Sequence, residues 1–255
     1  MATERQPPSR RIAQELRERI IRGELEPGAK LPSERELAQS YSTARNTARE
    51  AISILANEGL VDVQHGRGSF VRQRPPLLRL GSRYSRTVRE ETGLSPYRAE
   101  VARQGRTPKV DCTSIERVRP PAAVAERLGV RADAKSVVRR ENWYFADGDP
   151  VQIGVTFIPW QIASGSVLAR QANLGPGSIY ARLEELGHRI ARSREEIGAR
   201  MPTPEEARGL AIPPGVPVME VMHTSFDQEG VPFEVTQFVM RADLSGLEYD
   251  MPVED

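Results

Sequence analysis

Arg45 and Arg49 stand four residues apart with Thr47 between them, and Arg67 is set between Gly66 and Gly68. Side chains four apart share one face of a helix. Two guanidinium forks on the first turns of a helix fit the paired acceptors of guanine edges in a major groove, each good pair discriminating by about 1–3 kcal/mol. Glycines on both sides of Arg67 let the backbone approach a duplex closely, and an arginine there can enter a narrow minor groove. By spacing alone the arginine pair also reads as a solvated helix face. His65 reads as a solvated turn residue as readily as a phosphate ligand.

The surrounding sequence predicts the elements that position these groups. Ser33 followed by Glu36 is a capping box, so a helix starts at Ser33 and ends near Ser40-Tyr41. Ser42 or Thr43 can cap a second helix running to about Asn57, with Ala48, Ala51, Ile52 and Leu55 as its buried stripe. Gly59 sits where a left-handed C′ residue is expected. Residues 60–63 and 69–71 read as short strands joined by the glycine-rich turn 64–68. Upstream, Ser9 can cap a helix through about Arg22, with Ile12, Leu16 and Ile20 inward. Two short helices at an angle, a supporting helix and a two-stranded wing make a compact head over residues 1–74.

Composition constrains the reading. At 255 residues the chain has room for two domains, and 38% hydrophobic with 28% charged residues is ordinary for a globular protein. The formal charge is only +1, but residues 1–75 carry 13 basic against 10 acidic side chains. That small excess fits a few placed arginines better than wholesale coating of phosphates. The single cysteine, Cys112, excludes an internal disulfide and points to a reducing, cytoplasmic home. The start has no apolar core of a signal peptide, and no run approaches the roughly 20 apolar residues of a membrane helix. His65, His188 and His223 lack metal-ligand spacing, so neither a metal nor a cofactor is expected. No nucleophile elbow, phosphate-cradling loop or dinucleotide fingerprint occurs.

Residues 75–96 read as a linker, because Pro75-Pro76 stops any helix from continuing. Its run of Arg79, Arg83, Arg86 and Arg89 reads as a solvated hinge or as a contact to phosphates. From residue 97 the pattern changes. Helices are expected over 97–105, 121–128, 179–186 and 203–210, the last with Thr203 and Glu206 as a capping box. Strands are expected over 109–120, 136–145, 151–158, 191–201, 216–227 and 233–243, with Asp147-Gly148 as a hairpin signal. Helices and strands mix without strict alternation. Residues 97–255 are therefore expected to form an α+β domain on a mainly antiparallel sheet.

The run GELEPGAKLPSERELAQSY…AREAISILANEGLVDVQHGRGSFV, within residues 9–74, resembles the winged helix-turn-helix of the GntR family of bacterial transcription regulators. The resemblance implies that Arg35, Arg45, Thr47, Arg49, His65, Gly66 and Arg67 meet double-stranded operator DNA. Asn46-Thr47-Ala48 departs from the family's usual threonines and valine, which leaves the operator sequence open. The phrases YFADGDPVQIGVTFIP, SIYARLEELG and PEEARGLAIPPGVPVMEVMHTSFDQEGVPFEVTQFVMRAD, within 97–245, resemble the effector-binding domain of the HutC subfamily, which shares its fold with chorismate lyase.

That second resemblance implies a small-molecule cleft over the sheet and a homodimer. Members that bind phosphorylated sugars carry two arginines and a glutamate where this chain has Asn142, Tyr144 and Gly154. Glu234 keeps a family glutamate, and Met240 stands at a tyrosine position. Ser178 and Tyr180 match a small-residue phosphate turn, and Tyr97 and Arg98 match a loop that closes over the ligand. Arg140 is a further candidate to receive an anionic group. Without the arginine pair a dianionic phosphate loses its bidentate partners, and Tyr144, Gly154 and Met240 are expected to make the site roomier and less charged. The expected effector is neutral or weakly polar, not a sugar phosphate, and held by Glu234, Asn142 and Ser178.

The sequence therefore points to a ligand-responsive repressor released from a palindromic operator. The rivals are a constitutive dimeric DNA-binding protein without an effector and an enzyme of lyase-like fold. The second has no acid/base pair beyond Glu234, and fold alone does not imply function.

Overall fold

The computed structural model describes residues 7–64, 66–72 and 76–251. The chain divides into two compact units, Met1–Pro75 with Ile212–Val216, and Pro76–Ala211 with Pro217–Asp255.

The first unit is a winged helix-turn-helix. Helix α1 spans Pro8–Ile21, α2 Glu34–Ser40 and α3 Arg45–Asn57, followed by strands β1, Val61–Gln64, and β2, Gly68–Val71. The core is Ile12, Leu16, Leu37, Ala48, Ala51, Ile52 and Leu55, closed by Val61 and Val71 from the wing. The predicted capping box is present: Glu36 N–H donates to Ser33 Oγ and Ser33 N–H donates to the Glu36 carboxylate. Two expected caps are replaced. Ser9 lies inside α1, which starts on Pro8, whose fixed φ suits a first turn without a side-chain cap. Ser42 ends α2 instead of starting α3. Its φ is +47°, and the N–H groups of Ser42 and Thr43 return to the carbonyls of Gln39 and Ala38. That is a Schellman closure, and Ala44 is then left as the uncapped entry to α3. Gly59 closes α3 in the same way, with φ +73°.

The second unit contains β3 (Leu77–Leu80), a 3₁₀ turn (Gly81–Tyr84), α4 (Arg86–Thr92), α5 (Pro96–Arg103), β4 (Pro108–Val118), α6 (Ala122–Leu128), β5 (Val137–Ala146) and β6 (Asp149–Pro159). It continues with α7 (Trp160–Ala163), a 3₁₀ turn (Val167–Ala169), α8 (Ser178–Glu185), β7 (Arg192–Arg200), α9 (Pro204–Gly209), β8 (Val218–Phe226), β9 (Pro232–Arg241) and β10 (Ser245–Glu248). Six strands form one antiparallel sheet in the order β4-β5-β6-β9-β8-β7. The β5–β6 turn is tighter than expected: Asp147 and Gly148, at φ +54° and +86°, make a two-residue primed turn. One sheet face is covered by α6, whose Val124 and Leu128 pack on Val137, Phe157 and Val235. The other face carries residues 140, 142 and 144 of β5, and their registered neighbours 156, 154 and 152 of β6.

The reading of residues 75–96 as a linker is corrected. Residues 76–96 belong to the second unit and contain β3, the first 3₁₀ turn and α4. Strand β3 pairs in parallel with β10, Leu77 opposite Ser245 and Leu80 opposite Glu248. The basic run is not a solvated hinge, because three of its arginines are buried against acids. Arg79 pairs with Glu195, Arg83 with Glu100 at 3.1 Å, and Arg89 with Glu184, at side-chain exposures of 2%, 4% and 8%. Arg86 alone stays outward, paired with Glu90.

Candidate functional site

On the head, the candidate arginines are organised by one acid. Glu34 opens α2 and faces the start of α3. Arg49 donates to its carboxylate through Nε at 2.8 Å and Nη2 at 3.0 Å, and Arg45 donates through Nε at 2.9 Å. Both guanidinium groups remain mostly exposed. The Arg49 hydrogen bond holds the Glu34 carboxyl below its ordinary range, against the opposing effect of desolvation. Arg35 is exposed on α2, and Thr47 is half-buried on α3. At the wing, Gly66 and Arg67 are exposed, and Gly66 and Gly68 take φ +74° and +114°. Arg67 N–H closes the turn on Gln64 O at 3.0 Å. His65 lies outside the described residues. Thus α3 carries Arg45 and Arg49 outward, with Thr47 half-buried, while Ala48, Ala51, Ile52 and Leu55 are buried.

In the second unit a cavity of about 850 Å³ opens over the sheet between α5 and α8. Eight of the ten predicted effector residues line it: Tyr97, Arg98, Arg140, Asn142, Tyr144, Ser178, Tyr180 and Glu234. Side-chain alternation explains why β5 supplies 140, 142 and 144 together, and β9 supplies Glu234 with Thr236 and Phe238. Ser178 begins α8 at φ +55°, directly after Gly177 at φ +71°. Arg98 is exposed on α5, where its N–H meets the Ser95 cap.

Gly154 and Met240 do not line the cavity, and the expectation that they enlarge it is corrected. A Cβ on Gly154 would lie 2.9 Å from Tyr144 Cε2 and 3.0 Å from Phe238 Cε1. The missing side chain therefore admits the Tyr144 ring, not a ligand. Met240 is buried with Val221 and Phe238 in the core beside that ring. Tyr144 in turn meets Tyr97 edge to face at 4.8 Å.

The cavity's cations are largely committed. Arg140 is 2% exposed and donates to the carbonyls of Leu168 and Gln171 at 2.6 and 2.8 Å. It thereby pins the loop that leads to α8. Arg83 lines the wall but is paired with Glu100, which also accepts Leu80 N–H at 2.6 Å. Burial raises the Glu100 carboxyl, opposed by the charge of Arg83. Glu234 is 1% exposed and accepts from Ser225 Oγ at 2.6 Å, from Tyr180 OH at 3.2 Å and from Thr236 Oγ1.

Sequence reading missed Thr156, Thr236, Phe238, Arg83 and Tyr84 on this wall. Strand alternation from Gly154 and Glu234 would have found the first three. Arg83 and Tyr84 arrive from a segment whose fold depends on distant partners.

A winged-helix head with outward arginines, joined to an antiparallel domain with a polar-lined cavity, defines a transcription regulator with a DNA-binding and an effector-binding part. Residues 8–71 match the family described as "Bacterial regulatory proteins, gntR family", and residues 103–244 match the UTRA domain. The chain belongs to the gntR family, in its UTRA-bearing HutC branch. It is 30% identical over 235 residues, 91% of this chain and 89% of the relative, to the HTH-type transcriptional repressor NagR of Bacillus subtilis (strain 168). A solved putative GntR-family transcriptional regulator is 28% identical with a TM-score of 0.63, covering 98% of this chain and 99% of that one. PhnF from Mycobacterium smegmatis, at 24% identity and a TM-score of 0.60 over 95% of this chain and all of that one, shares the fold. No helix among the described residues is long and apolar enough to cross a membrane.

Proposed function

We propose that the protein is a homodimeric repressor that holds a palindromic operator and leaves it when a small molecule enters the UTRA cavity. The carrying observation is the pairing of an outward arginine face on α3 with a polar-lined cavity in the same chain. Two heads related by a two-fold axis would read two half-sites. The likeness to a relative named as a repressor supports repression over activation. In this reading Arg35, Arg45, Thr47, Arg49, His65, Gly66 and Arg67 meet DNA, and Asn142, Ser178, Tyr180 and Glu234 fix the effector. To be effective, the ligand must prefer one arrangement of the heads by a few kcal/mol.

The effector in this reading is polar without being a sugar phosphate. Asn142 and Tyr144 replace the arginine pair, and Arg83 and Arg140 already bond Glu100 and backbone carbonyls. Tyr144 narrows the site over Gly154. Selection of bound duplexes from a random pool supports the reading if it yields an inverted repeat. Tight binding of phosphosugars to the protein would overturn the proposed effector class.

A further inference from the structure

The cavity face of the sheet carries a row of buried polar groups running away from the ligand space. It starts at Glu234 on β9. On β8, Ser225 and His223 are both 0% exposed, and Ser225 Oγ lies 2.9 Å from His223 Nε2. His223 Nδ1 lies 3.0 Å from Glu195 on β7. Glu195 also accepts from Arg79 Nη2 and from Tyr249 OH. Tyr84 stacks on the His223 ring at 4.4 Å, and Tyr180 OH reaches both His223 and Glu234.

With Glu234 ionised, proton counting gives the charges along this row. The Ser225 hydroxyl has one proton, which it gives to Glu234 at 2.6 Å. It therefore offers His223 only a lone pair, and Glu195 offers the other ring nitrogen only a carboxylate. A ring that donates from both nitrogens is an imidazolium. Arg79 and His223 then balance Glu195 and Glu234, as buried charges require. The Glu195 carboxyl is held well below the usual carboxylate range: burial acts to raise it, and the His223 hydrogen bond with the charge of Arg79 outweighs that. The Ser225–His223–Glu195 order resembles a nucleophile, base and orienting acid. Ser225 is fully buried and its proton is committed to Glu234, so this row is not laid out to attack a ligand.

We propose that Glu234, Ser225, His223, Glu195 and Arg79 form a charge relay that reports occupancy of the cavity to β3. Strand β3 is the first strand of its unit in chain order, and it follows the short stretch that joins the unit to the head. An effector that brings an amine or other strong donor to Glu234 takes over the neutralisation of that carboxylate. The Nε2 proton passes to Ser225 Oγ as Ser225 gives its own to Glu234, which releases it into the cavity; Ser225 then donates to Nε2, and His223 is neutral while still donating from Nδ1. Glu195 is left with Arg79 as its sole charged partner, and β3 is held more tightly. His223 and Glu195 are positioning residues in this scheme. It rests on the reading of the cavity as the effector site, but its test needs neither effector nor DNA. Failure of the relay would leave the regulator reading standing.

The chain has three histidines, so ring-nitrogen NMR of the full-length protein can resolve His223. At about pH 8 a solvated histidine is mostly neutral. The relay predicts that His223 is still protonated on both nitrogens there. In Glu234→Gln it should become the neutral Nδ1–H form, and amide exchange at residues 77–80 should slow roughly threefold or more. Glu206→Gln, an equal charge change on α9, should alter neither. A neutral His223 in the parent protein would overturn the relay, even if the variant fails to fold. So would a charged His223 in Glu234→Gln, or exchange at 77–80 that is unchanged or faster.

Discussion

Arg49 donates twice to Glu34, through Nε at 2.8 Å and Nη2 at 3.0 Å, so the guanidinium plane on α3 is set by the first residue of α2. The capping box at Ser33 fixes where α2 begins, and hence where Glu34 stands. This exposed pair contributes little to stability. Its effect is orientation. Replacing Glu34 with alanine should leave the thermal midpoint unchanged. It should strengthen binding to random duplex, by removing a negative charge near phosphates, and shrink the preference for the selected operator. The ratio of the two dissociation constants measures this.

Gly154→Ala tests the packing of Tyr144. The added Cβ would meet Tyr144 Cε2 at 2.9 Å and Phe238 at 3.0 Å, beside the cavity wall. Overpacking of this kind costs about 1–3 kcal/mol. Thermal denaturation should show a midpoint lower by several degrees, and the displaced Tyr144 ring should lose its edge-to-face contact with Tyr97. An unchanged midpoint would show that the ring moves freely.

Arg140→Gln tests the cavity wall. It removes the charged donor to the carbonyls of Leu168 and Gln171, which then lie buried with weaker partners. Hydrogen bonds to a charged group contribute about 1.5–3 kcal/mol, so the urea midpoint should fall accordingly. Limited proteolysis should become faster within residues 168–177.

Local chemistry was legible in the sequence, and long-range pairing was not. Ser33 with Glu36, Thr203 with Glu206, Gly59, and Asp147-Gly148 each specify a cap or turn within a few residues, and each forms, the last as a tighter turn than expected. Ser42 failed because the same side chain suits either end of a helix junction, and the left-handed backbone there decided for α2. Strand β3 was hidden because its partner is β10, at the other end of the unit. The arginines at 79, 83 and 89 read as a basic run until the acids at 195, 100 and 184 reached them across the fold. The family resemblance pointed to Asn142, Tyr144 and Glu234, and they line the cavity wall. It also pointed to Met240, which lies two residues past Phe238 on β9, where the core closes.

Acid should destabilise the second unit through Glu195. A carboxyl held below its unfolded value stabilises the fold above that unfolded value, near 4.3, and the contribution is lost as pH falls through the folded one. Glu100, raised by burial, acts with the opposite sign and offsets part of the loss. The stability gap between the parent and Glu195→Gln should therefore be largest near neutral pH and shrink below about pH 4. Urea midpoints across that range measure it. A gap that widens in acid would contradict the assignment.

The most direct measurement is the affinity of the Arg45→Ala, Arg49→Ala double variant for the duplex selected by the parent protein. Both side chains are exposed on α3 and neither belongs to its buried stripe, so the head should stay folded. With about 1–3 kcal/mol per arginine–base pair, the account predicts at least tenfold weaker binding to that duplex and a much smaller loss on random DNA. Binding as firm as the parent's would contradict it.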